Sequence, residues 1–148
     1  MIRALLIAVG LLFLAYSGAG AQGLQRQCAT TNGSNCVPVT VCTSSAAVNV
    51  TSGNTTQIVG LTSGQSIRVC SFTITGSAAA TAATFVYGTG TNCAGSPSNL
   101  TGAMLIGQNG AISSSTAAGS LFAAPASQAL CVTAATGNVT GFISYAKY

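Results

Sequence analysis

Between Ala47 and Tyr148 apolar residues recur at every second position in short bursts, and each burst ends at a cluster of Gly, Ser, Asn or Pro. Alternation with a period of two over a handful of residues marks a half-buried strand, and such clusters mark turns. The pattern predicts strands near Val48–Val50, Thr55–Gly60, Gln65–Thr75, Ala80–Gly88, Thr101–Ile106, Ser120–Ala123, Gln128–Ala134 and Val139–Tyr148. The intervening breakers are Ser52-Gly53-Asn54, Ser63-Gly64, Gly76-Ser77, Gly88 to Pro97, Gln108-Asn109-Gly110, Pro125-Ala126 and Thr136-Gly137-Asn138. No window carries a helical stripe. The alanines near position 80 are interrupted by Thr81 and Thr84, with no cap or charge pattern beside them. Thr, Val, Ile, Phe and Tyr dominate the bursts, as a pleated surface prefers. About eight short strands at this spacing imply an all-β fold, a single jelly-roll-like antiparallel β-sandwich over 47–148.

One burst breaks its own alternation. In "SIRVCSFTIT", Ile67 and Val69 share one parity while Phe72 and Ile74 share the other. A β-bulge near Cys70 or Ser71 would turn both pairs inward.

The upstream chain has a different texture. Met1-Ile2-Arg3 is a short basic head, Ala4 to Tyr16 is apolar, and Ala19-Gly20-Ala21 supplies small residues before Gln22. This is the pattern of a secretory signal peptide over 1–21, and the apolar run is short for a membrane span. Residues 22–46 read as an irregular arm with three closely spaced cysteines, one Pro and several turn formers.

Charge narrows the chemistry sharply. The chain contains no Asp, Glu or His, only four Lys and Arg, and a formal net charge of +4. Proton-transfer catalysis ordinarily uses His, Asp or Glu, so neither a Ser-His-Asp arrangement nor a paired-carboxylate glycosidase can be built. Calcium and magnesium sites would lack acidic ligands. The remaining option for catalysis is Ser or Thr with Lys147 as base, and Lys147 is expected to be exposed at the penultimate position. The expectation is a non-enzyme with no cofactor. Arg26, Arg68 and Lys147 are too few and scattered to neutralise a phosphate backbone, which argues against nucleic acid as a partner. Weak repulsion between copies favours self-association.

Six cysteines, Cys28, Cys36, Cys42, Cys70, Cys93 and Cys131, lie beyond the leader. An even count behind a signal peptide implies disulfides in a secreted, extracellular or periplasmic protein. No C-x-x-C pair and no His accompany them, so no metal site is expected. Fifteen pairings are open to six cysteines. The expected set is Cys93–Cys131, joining the loop after Phe85 and Tyr87 to the strand "QALCVT", then Cys42–Cys70 from arm to sheet, and Cys28–Cys36 as a small local loop. Gly88-Thr89-Gly90 resembles the start of a dinucleotide fingerprint, but position 93 is Cys and no helix follows. These glycines are expected to be turn residues that lead to Cys93.

The blocks "TTQIVGLTSGQSIRVCSFTI", "TFVYGTGTNC", "LTGAM", "FAAPASQALCVT" and "GFISYAKY" together resemble a group of small, largely uncharacterised bacterial and phage-encoded β-sandwich proteins, over about Val48 to Tyr148. The resemblance implies the fold, and for phage members a virion-surface or fibre-like module. It carries over no catalytic or binding residues, and the signal peptide departs from a cytoplasmically assembled virion protein. The expected role is a non-enzymatic secreted structural or surface-assembly protein. One alternative is a glycan- or surface-binding adhesion module, for which Tyr87, Tyr145 and Tyr148 could serve as platforms. The other is a small outer-membrane barrel, suggested by Phe142, Ser144, Ala146 and Tyr148 on one face.

Overall fold

The computed structural model describes residues 40–77, 79–117 and 119–148. The segment read as a leader, most of the arm, and the Cys28–Cys36 pairing lie outside the described residues. Ten strands follow in order: β1 Ser44–Val50, β2 Thr55–Val59, β3 Ile67–Gly76, β4 Thr81–Thr89, β5 Gly95–Asn99, β6 Met104–Ile106, β7 Ala111–Ser115, β8 Phe122–Ala124, β9 Ala129–Ala134 and β10 Val139–Lys147. A single 3₁₀ turn, Thr91–Cys93, precedes β5, and there is no α-helix among the described residues.

The strands form two antiparallel sheets. The first has the order β1-β10-β3-β7, with β8 also paired to β3; the second has the order β2-β9-β4-β5, with β6 also paired to β4. Both sheets keep open edges rather than closing into a barrel. The chain crosses between sheets from β1 to β2 and again from β2 to β3.

Each of the eight expected strands overlaps an observed one. Two observed strands were not expected. β5 lies in the stretch read as a breaker, because Gly95 and Pro97 mask a short edge strand against β4. β7, "AISSS", pairs with β3 from Ser71 to Thr75, and its serines hide the alternation. β1 starts at Ser44, so the last residues of the segment read as an arm pair with β10.

The core lies between the sheets. Phe72 of β3 and Phe85 of β4 have ring centroids 5.2 Å apart, and Phe122 of β8 closes the cluster at 4.9 Å from Phe85. Ile67, Val69, Ile74, Val139 and Ile143 from the first sheet meet Leu130, Val132 and Ala134 from the second, all fully buried. Burying each large aliphatic side chain contributes about 1.5–3 kcal/mol relative to exposure.

The register of β3 explains its broken alternation. Ser144 pairs with Ser71 but the next residue, Tyr145, pairs with Val69, leaving Cys70 as an extra residue. This bulge brings Ile67, Val69, Phe72 and Ile74 all to the core, while Arg68 stays exposed. The other side of β3 breaks at the same place. β7 ends at Ser115, and the Thr116 N–H donates to the Cys70 carbonyl at 3.0 Å. The chain then loops out and returns, with the Leu121 N–H donating to the Val69 carbonyl at 2.7 Å before β8 begins.

Candidate contact surfaces

Two disulfides fasten chain to the outer faces of the sandwich. Cys42 is bonded to Cys70, with Cα atoms 6.1 Å apart. Cys70 is the bulge residue, so the bridge ties the entry to β1 onto β3 at the point where both neighbouring ladders are interrupted. The same entry is held from a second direction. The Val41 N–H donates to the Tyr148 hydroxyl at 3.1 Å, and the Arg68 guanidinium lies 5.3 Å from the centre of the Tyr148 ring. Arg68 also reaches the Thr40 hydroxyl at 3.4 Å.

The second bridge joins Cys93 to Cys131 beneath the loop that follows β4. Cys93, Cys131, Val86 and Ala129 make a small buried cluster of their own on the outside of the second sheet. The loop folds back so tightly that a Cβ at Gly88 would lie 2.8 Å from the Cys93 carbonyl oxygen. Gly90, Asn92, Cys93 and Ser96 all take positive φ. For the three non-glycine residues this backbone is unfavourable, and the bridge and the surrounding packing hold it. Asn92 then accepts the Gln57 N–H of β2 at 3.0 Å. The glycine-rich stretch therefore makes a covalently anchored flap over its own sheet. It opens onto no helix N-terminus, the feature that a phosphate cradle needs.

The outer face of the first sheet is a regular surface of aligned rows. Register alignment places Ser45, Ser144, Ser71 and Ser115 in one row across β1, β10, β3 and β7. The next rows are Ala47, Phe142, Thr73 and Ser113, then Asn49, Thr140, Thr75 and Ala111. No charge occurs in the twelve positions. Hydroxyls pair across strands, with Ser71 and Ser144 at 2.9 Å and Thr75 and Thr140 at 2.8 Å. Phe142 stands in the middle, 53% exposed. Beside the serine row lies an open groove of about 400 Å³, walled by Thr40, Val41, the Cys42–Cys70 bridge and Ser71.

Lys147 is not the free terminal cation expected. Its ammonium donates to the Gly60 carbonyl and the Thr62 hydroxyl, both at 2.9 Å, across the end of the sandwich. Tyr87 and Tyr145 are half-buried and pack against the main core, so neither is an open platform. Among the described residues Phe142 is the exposed ring, and its alternation with Ser144 along β10 is the sequence signal that marks it. Among the described residues no group of three or more His, Cys, Asp or Glu could hold a metal ion, and no helix is long and apolar enough to cross a membrane. Two disulfides fit an oxidising environment, extracellular or periplasmic. No family model, no curated protein and no solved structure matches the chain.

Proposed function

We propose that this protein is a non-enzymatic structural subunit that builds an extracellular or surface assembly through its uncharged sheet surfaces. The observation that carries this reading is the outer face of the first sheet, where eleven aligned positions of Ser, Thr, Ala and Asn surround one exposed Phe, with no charge among them. Small side chains let a second surface approach closely, and none of these twelve positions carries a charge that would repel a copy. The complete lack of Asp, Glu and His argues in the same direction, because it removes the usual proton-transfer groups. Secretion behind a leader ending near Ala21 is part of the same proposal, as is a bacterial or phage-like origin.

The strand order supports a jelly roll. With β5 and β6 counted as one interrupted strand and β7 and β8 as another, the sheets read first-eighth-third-sixth and second-seventh-fourth-fifth. That is the order two interlocked Greek keys produce. The reading predicts that labelled protein decorates a regular layer or filament when native surfaces are imaged by electron microscopy. A dispersed, unassembled distribution would count against it.

A second reading is a glycan-binding module. It is favoured by Phe142, whose open ring lies on the same face of β10 as Ser144, next to the hydroxyl-lined groove. An aromatic face beside hydroxyl donors and acceptors suits a neutral sugar ring. Binding of neutral oligosaccharides that is lost in Phe142→Ala would establish it.

A further inference from the structure

We propose that β1 is the seam of assembly: two copies pair antiparallel along their β1 edges and fuse their first sheets into one continuous sheet. The proposal rests on the assembly reading above and names the contact that begins it.

An unpaired strand edge invites another strand, and folded proteins ordinarily blunt such edges with charge, proline, bulges, shortness or a covering loop. The other edges of this sandwich carry these devices. β2 has an irregular register between Gln57 and Val59, and Asn92 from the disulfide-anchored flap takes up the Gln57 N–H. β5 contains Pro97 and meets β4 through a register break. β6 and β8 are three residues each, and β7 stops after five, where the chain swings away.

Among the described residues β1 has none of them. It runs for seven residues in unbroken register, from Ser44 opposite Tyr145 to Val50 opposite Val139. Its sequence, SSAAVNV, holds no charge and no proline. Among the described residues β10 is its only strand partner. It is also rigidly held. The Cys42–Cys70 bridge fixes its entrance, the Ser52 N–H donates to Asn138 just past its exit, and Val48 and Val50 are buried. A preorganised edge loses little freedom on pairing.

The strand is suited to its own copy. A two-fold axis through Ala47 sets Ser44 against Val50, Ser45 against Asn49, Ala46 against Val48, and Ala47 against itself. No like charges meet. The inward Ala46 and Val48 would continue the apolar layer, and the outward Ser45, Ala47 and Asn49 would extend the hydroxyl rows across both copies. Two-fold self-pairing is the commonest way that identical chains associate.

Hydrogen exchange and sedimentation on the oxidised protein test this together. In an antiparallel edge strand alternate N–H groups point away from the sheet, so these β1 amides exchange fast in the monomer. At high protein concentration their exchange is expected to slow at least ten-fold. Ala47→Lys, an exposed side chain at the two-fold, is expected to weaken the dimer at least ten-fold. Thr73→Lys, on the same face but two strands inward, is expected to leave it nearly unchanged. Association with unprotected β1 amides, or association that survives Ala47→Lys and fails in Thr73→Lys, overturns the seam and leaves the assembly reading standing. A wild-type protein that stays monomeric at every concentration overturns both. If Ala47→Lys does not fold, the exchange of the wild-type strand decides alone.

Discussion

Val69 and Phe72 of β3 point into the same core although they are three residues apart on one strand. A regular strand would send them to opposite faces. The extra residue between them is Cys70, left without a partner as β10 passes from Ser144 to Tyr145. The residue that corrects the facing of β3 is thus also the one that anchors the chain entering β1. Replacing both Cys42 and Cys70 by Ser is predicted to lower stability by about 3–4 kcal/mol, an upper figure from the loop-entropy model. Denaturant unfolding of the double variant measures it. A loss under about 1 kcal/mol would mean that the Tyr148 and Arg68 contacts hold the entry without the bridge.

Gly141 offers a sharper steric prediction. It lies mid-strand in β10, opposite Val48 and Ile74, at φ +148, and a Cβ there would collide with the Thr73 carbonyl oxygen. The nearest atoms are all backbone of Thr73 and Ile74, so no flexible side chain is there to move. Gly141→Ala is expected to destabilise by about 2 kcal/mol or more, as overpacking and backbone strain combine. Gly102→Ala, which meets nothing within 4 Å, is the control and should fall within about 0.5 kcal/mol of the parent.

Thr81 points the other way. Its side chain is buried, 4% exposed, and its hydroxyl has no hydrogen-bond partner. A buried hydroxyl without a partner costs about 1–3 kcal/mol of desolvation. Thr81→Val keeps the shape and removes the orphan, so it is expected to stabilise by about 0.5–1 kcal/mol. Thermal melting checks the sign, and a fall in melting temperature would contradict it.

The response to pH follows from what the sequence lacks. Acid unfolding mostly protonates carboxylates that are paired in the native state, or charges buried histidines. With no Asp, Glu or His, the folded and unfolded chains bind nearly equal numbers of protons in the acid range, apart from the C-terminal carboxyl. The melting temperature is expected to stay nearly flat from about pH 2 to pH 7. A steep loss below about pH 4 would contradict this account.

Much of this architecture was legible in the residues, and the failures have physical causes. Alternation with β-branched residues marked β2, β3, β4 and β10, because one face of each is turned to the core, while β9 was legible as a short apolar run because both its faces are covered. The parity break in β3 was readable as a bulge for the same reason. β5 and β7 escaped notice because they are serine-containing edge strands, GSPSN and AISSS, whose pairing comes from the neighbouring strand. The expected pairs Cys93–Cys131 and Cys42–Cys70 are both bonded. The hydroxyl face was invisible, since its rows join residues far apart in sequence and exist only once register is fixed. Lys147 was misjudged because terminal position says nothing of the backbone carbonyl it meets.

The central claim, assembly through uncharged sheet surfaces, meets its most direct test in sedimentation of the oxidised protein from about 0.05 to 0.5 M salt, at several concentrations. Association driven by strand edges and hydroxyl faces has almost no charge to screen. The account predicts concentration-dependent oligomers whose affinity changes little, within about two-fold, across the whole series. A strictly monomeric protein at high concentration, or oligomers that modest salt dissolves, would contradict it.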